Sequence, residues 1–139
     1  MPTYLVEAAE QCERLDIPYL GTLHDDSSAV KLSDLLDLYL TDPPQAKLPH
    51  LLACRERLDG QSPPVLEALA DRHNGENIDV AFLVGPEGGW SPAEQALLDE
   101  LEVSTAGSSK RVTNVSLGPT VLRAETACVT AVAAALLRQ

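Results

Sequence analysis

Residues Ile78-Asp79-Val80-Ala81-Phe82-Leu83-Val84 form a nearly unbroken apolar run that stops at Gly85-Pro86-Glu87-Gly88-Gly89-Trp90. Directly after that bend comes Ser91-Pro92-Ala93-Glu94, which has the form of a capping box with proline in the first helical position. A strand, a glycine-rich bend and a capped helix therefore follow one another without a linker. Continuous apolar strands are typical of sheets covered on both faces, so this segment alone steers the chain toward an α/β layered fold with a mainly parallel sheet. The rest of the pattern agrees. Leu48–Cys54 reads as a buried strand and Val112–Leu117 as another. Helices are expected over Asp34–Leu40 with Ser33 as cap, from Pro63 to about Arg72 with Ser62 as cap, from Pro92 to about Leu101, and over Leu122–Leu137. An amino-terminal helix is expected from the apolar spacing at Tyr4, Leu5, Ala8, Ala9, Cys12 and Leu15, ending before Ile17-Pro18. With 139 residues and no repeat, the expectation is one domain over 1–139.

The glycine-rich bend excludes two familiar nucleotide sites. No Lys-Ser/Thr pair follows it, as a P-loop needs, and the GxGxxG spacing is absent. By itself it reads equally as a tight strand-to-helix turn or as a place where backbone approaches a ligand. A second bend of this kind is Leu117-Gly118-Pro119-Thr120-Val121-Leu122-Arg123-Ala124-Glu125-Thr126-Ala127, which again leaves an expected strand. Arg123 and Glu125 fall there in the first turn of an otherwise apolar, alanine-rich helix, where a solvated or dipole-stabilising role competes with a chemical one.

Charge needs the same local reading. A net charge of −11 argues against a nucleic-acid partner, yet it is unevenly spread. Residues 1–109 hold 6 basic and 20 acidic residues, whereas Lys110, Arg111, Arg123 and Arg138 face Glu125 alone beyond them. Cys12, Cys54 and Cys128 lack CxxC spacing and read as free thiols of a reduced compartment. His24, His50 and His73 form no ligand-spaced pair, so no metal is expected. The apolar stretch Ala124–Leu137 is too short and too polar to span a bilayer, and residues 1–4 do not resemble a signal peptide.

Taken together, GPEGGW–SPAE and SLGPTVLRAETA, with VEAAEQCERLDIP near the start, resemble the RsmE family of 16S ribosomal RNA uridine methyltransferases over essentially the whole chain. The resemblance implies a SPOUT fold whose carboxy-terminal segment threads a loop to form a trefoil knot, a rare exception to unthreaded topology. It implies S-adenosylmethionine as cofactor, bent among three loops: the strand end near Leu52–Arg55, the bend Val84, Gly85, Pro86, Glu87, Gly88 and Gly89, and the segment Leu117, Gly118, Pro119, Leu122, Thr126 and Ala127. On this reading Arg123 stabilises charge on the uridine ring, and Glu125 orients Arg123 or serves as base, with Glu87 as an alternative base. Partners implied are 16S-type ribosomal RNA or the small subunit, and a second copy of the chain packed through Leu122, Ala127, Ala131 and Ala135. The expected location is the cytoplasm or an organelle with bacterial-type ribosomes. The chain departs from the family pattern in having Thr120 where an arginine is usual, and in a longer connection over Ser104–Arg111. The family's PUA-like RNA-binding domain and first catalytic strand and helix are not present before Met1, so the expectation is an N-terminally truncated SPOUT domain. The competing expectation is a knotted domain that dimerises or binds cofactor without catalysis; an unrelated phosphate-binding α/β enzyme is a further rival.

Overall fold

A computed structural model describes residues 6–7, 10–11, 30–41, 49–56, 62–70, 79–104 and 112–137. In chain order these give α1 (Leu32–Thr41), β1 (His50–Cys54), α2 (Val65–Ala70), β2 (Val80–Val84), α3 (Pro92–Ser104), β3 (Val112–Val115) and α4 (Ala124–Leu136). Of the expected amino-terminal helix, residues 6–7 and 10–11 are helical and the remainder lies outside the described residues.

The three strands are parallel and ordered β2-β1-β3. β1 is central, and all five of its residues are buried. Because side chains alternate along a strand, β1 feeds two cores. Leu52 and Cys54 join Val65, Ala68 and Leu69 of α2, Val115 of β3, and Ala131 and Ala134 of α4. Leu51 and Ala53 join Leu32 and Leu36 of α1, Leu98 of α3 and Val112 of β3. The sheet is thus sandwiched between α2 and α4 on one face and α1 and α3 on the other, the arrangement that parallel strands require.

β2, the most apolar strand in the sequence, behaves differently from expectation. It lies at the edge of the described sheet and is only half-buried along its length. Residue type fixes that it is a strand, whereas its position depends on which neighbours pair with it. Several element starts also shift. Ser33 is inside α1, bonded to Asp34, rather than capping it. Ser62-Pro63 does not open α2: Pro63 O accepts the Ser116 N–H, Pro64 bridges Ser116, and helical bonding begins at Pro64 O. An isolated parallel bridge has captured the residues that local sequence would place at the helix start. Arg123 likewise caps α4 in extended conformation (φ −66°, ψ 151°) instead of sitting within its first turn.

The Ser91–Glu94 capping box forms as expected. Ser91 N–H donates to Glu94 Oε2 at 2.8 Å and Glu94 N–H donates to Ser91 Oγ at 3.3 Å. The bond from the Ser91 backbone, then that from its side chain, holds the Glu94 carboxyl below its usual range. A depressed carboxylate stabilises the native state above its unfolded value and loses that contribution as pH falls through the depressed one.

Leu52 is fully buried at the centre of the sheet. Leu52→Ala is expected to destabilise the fold by about 2–5 kcal/mol, measured by urea denaturation; a cost within experimental error would mean that β1 is not the core strand.

Candidate active site

Register explains why one end of the sheet becomes a site. Cys54, the last residue of β1, pairs with Val84 at the end of β2 and with Val115 at the end of β3. All three strands therefore stop at one level, and the segments leaving them converge. Open α/β sheets bind ligands at this end. Here the convergence produces a cleft of about 170 Å³. It is walled by Cys54, Arg55 and Glu56 after β1, by Val84 through Trp90 after β2, by Leu117, Val121 and Leu122 after β3, and by Gln95, Ala124 and Ala127 from the helices.

The bend after β2 is shaped by its glycines and its tryptophan. Gly89 N–H donates to Pro86 O at 2.8 Å, closing a turn, and Gly89 itself takes φ +73°, a region costly for other residues. Trp90 folds back across Gly85, so close that a Cβ built there would stand 2.8 Å from Trp90 Cε2. Its indole N–H donates to Cys54 O at 3.3 Å, and Gln95 Nε2 donates to Trp90 O at 2.8 Å. Trp90 thereby ties the β2 bend to the end of β1. After β3, Gly118 takes φ +137° and donates its N–H to Ser116 Oγ at 3.2 Å. Farther along, the Leu122 N–H donates to Glu56 Oε1 at 2.7 Å, linking this segment to the residues after β1.

Charge in the wall is mostly acidic. The Arg55 guanidinium, although buried, is paired with Asp99 of α3. Glu56 and Glu87 remain as carboxylates in the lining. Burial, then the Cys128 and Glu56 charges, push the Cys54 thiol up to about 12, so it is neutral near pH 7 and inert as a nucleophile. Cys12 lies outside the described residues.

Of the residues singled out from sequence, Val84, Gly85, Pro86, Glu87, Gly88, Gly89, Leu117, Leu122 and Ala127 line the cleft. Gly118, Pro119 and Thr126 are exposed nearby, outside the lining. Arg123 and Glu125 are exposed and flank Ala124, which does line it; no hydrogen bond or ion pair joins the two among the described residues. Near the end of β1, Leu52 belongs to the core, whereas Cys54 and Arg55 reach the cleft. Sequence reasoning passed over Glu56, Trp90, Gln95, Val121 and Ala124. Trp90, Val121 and Ala124 lie within the motifs quoted above, but Glu56 carries no local signal. Lys110, Arg111 and Arg138, the remaining basic residues near the carboxy terminus, lie outside the described residues.

A family model described as an RNA methyltransferase domain matches residues 1–136. The chain belongs to that family. It is also 31% identical over 129 residues to the ribosomal RNA small subunit methyltransferase E of Rickettsia conorii, an alignment covering 93% of this chain and 42% of that protein. The chain thus spans less than half the length of this curated relative.

Two outcomes test the geometry. Gly85→Ala is expected to displace the indole and shift the emission of Trp90, the single tryptophan, to longer wavelength; unchanged emission would place the ring elsewhere. In thiol labelling at pH 8 followed by peptide mapping, exposed Cys128 is expected to react well before buried Cys54, and the reverse order would contradict the packing around β1.

Proposed function

We propose that the cleft holds S-adenosylmethionine and that the protein uses it to methylate N3 of a uridine in small-subunit ribosomal RNA. The observation that carries this reading is the meeting of the GPEGGW and SLGPTVLR segments in one cleft at the strand ends of an RNA methyltransferase family member.

The lining fits such a ligand chemically. Leu117, Val121, Leu122 and Trp90 offer apolar surface for an adenine, and the glycine-rich bend removes side chains where backbone can approach it. Glu56 and Glu87 supply negative charge suited to a cationic donor. At about 170 Å³ the cleft is smaller than the roughly 300–1,000 Å³ of pockets that enclose a whole ligand. It is bordered by the exposed residues 86–89, so it grips part of the ligand and leaves the rest accessible. When bound, the cofactor supplies an electrophilic methyl group.

The remaining chemistry falls to side chains. Uridine N3 carries a proton at neutral pH, so the site must stabilise the deprotonated ring or take the proton during attack. Arg123 stands exposed at the cleft rim, beside Leu122 and Ala124, and its guanidinium is assigned to the charge developing on the ring oxygens. For the base, Glu87 lies in the lining and Glu125 does not, which favours Glu87 over Glu125. A full positive RNA-binding surface is not expected from a chain of net charge −11.

We further assign this protein a SPOUT-type knot and a homodimer. Ala131 does not face a partner as expected, because it is buried in this chain's own core, on which Ala135 also packs; Ala127 is buried beside the cleft. Leu122 lines the cleft. The opposite side of α4 exposes Val129, Val132 and Leu136, spaced three and four apart, and this stripe is the surface a second copy would cover. No helix among the described residues is long and apolar enough to cross a membrane, and a cytoplasmic site of action fits a ribosomal RNA substrate.

Arg123→Ala is expected to lower methyl transfer to unmodified small-subunit RNA by about 100- to 1,000-fold, while S-adenosylmethionine affinity measured by calorimetry changes little. Unchanged transfer would remove Arg123 from the chemistry. Cofactor binding without transfer would instead identify a non-catalytic domain.

A further inference from the structure

Beyond Ser116, which is bonded to Pro63 and Val65, the segment leading from β3 into α4 is held at three places. At its start, Gly118 N–H donates to Ser116 Oγ at 3.2 Å. At its end, Ala127 N–H donates to Arg123 O at 2.8 Å as α4 begins. Between these, only one long-range bond is found among the described residues: Leu122 N–H to Glu56 Oε1, at 2.7 Å and 66 positions apart in sequence. The backbone leading into Glu56 is anchored, since Arg55 N–H donates to Val115 O at 2.9 Å and extends the β1–β3 pairing one residue past β1. A charged acceptor makes this bond stronger than an ordinary backbone pair.

The position of that bond matters more than its strength. It fixes the Val121–Leu122 peptide plane, one residue ahead of the peptide that leads into Arg123, and the first turn of α4 fixes the peptide after Arg123. The Arg123 side chain has no partner of its own among the described residues, so its placement depends on the backbone. We propose that Glu56 is a positioning residue: by clamping the Leu122 N–H it sets where the Arg123 guanidinium stands relative to the cleft. The proposal rests on the role assigned to Arg123 above. It also gives a structural role to a carboxylate of the cleft wall that acts on the Cys54 thiol.

The experiment is a double-mutant cycle in this protein. It reads kcat for methyl transfer to unmodified small-subunit RNA at saturating S-adenosylmethionine, with cofactor affinity followed by Trp90 fluorescence. Glu56→Ala is expected to lower kcat by about 100-fold, the scale of a misplaced catalytic group. Glu56→Gln keeps an acceptor oxygen and is expected to restore most of that loss. Glu56→Asp, which keeps the charge and the fold but shortens the reach, is expected to behave like Glu56→Ala. In an Arg123→Ala background, Glu56→Ala is expected to add no further loss, because the two act as one unit. Wild-type kcat in Glu56→Ala or Glu56→Asp, failure of Glu56→Gln to restore activity, or additive losses with Arg123→Ala would each overturn the proposal while leaving the Arg123 reading intact. Wild-type transfer by Arg123→Ala would instead remove the reading on which the proposal rests.

Discussion

The level ending of three parallel strands governs most of this molecule. Cys54 pairs with both Val84 and Val115, so the segments that follow have nowhere to go but across the same edge of the sheet. A slip of one residue in either pairing would turn alternate side chains to the wrong face. Leu52 would then leave the core shared with α2 and α4, and the two glycine-bearing bends would no longer meet. Packing of the β1 side chains on both faces fixes the register, and the register makes the cleft.

Electrostatics follow from that frame. A buried guanidinium is costly unless paired, and Arg55 meets this need through Asp99 of α3 rather than by serving as a ligand anchor. The cleft wall therefore keeps the acidic character of Glu56 and Glu87. Positive charge is displaced to the rim, where Arg123 is exposed at the start of α4. Acidic side chains in the lining and an exposed arginine beside it thus lie close together without pairing among the described residues. The strong overall negative charge obscures this division because it sums over both.

Helix α4 serves two surfaces because its apolar residues surround it. Ala131 and Ala134 press on the sheet with Ala127 beside the cleft, and small side chains allow close approach. Val129, Val132 and Leu136 point away. Alanine-rich composition alone gave no means of telling the two faces apart. Ala131, expected to face a partner, is instead buried against this chain's own sheet.

Local chemistry in the sequence was sufficient for the Ser91–Glu94 cap, for strand character at residues 80–84, and for the glycine bends with positive φ at Gly89 and Gly118. Each depends on residues a few positions apart, whose steric and hydrogen-bonding preferences act before any distant segment arrives. Strand order, the edge position of β2, the capture of Pro63-Pro64 by Ser116, and the Glu56–Leu122 and Arg55–Asp99 contacts were not legible in this way. Nothing in the periodicity around Glu56 marks a partner 66 residues away. Such contacts are decided only when parallel pairing and burial of both sheet faces bring the strand ends together, so the sequence by itself determined the bends and the tertiary structure decided what they enclose.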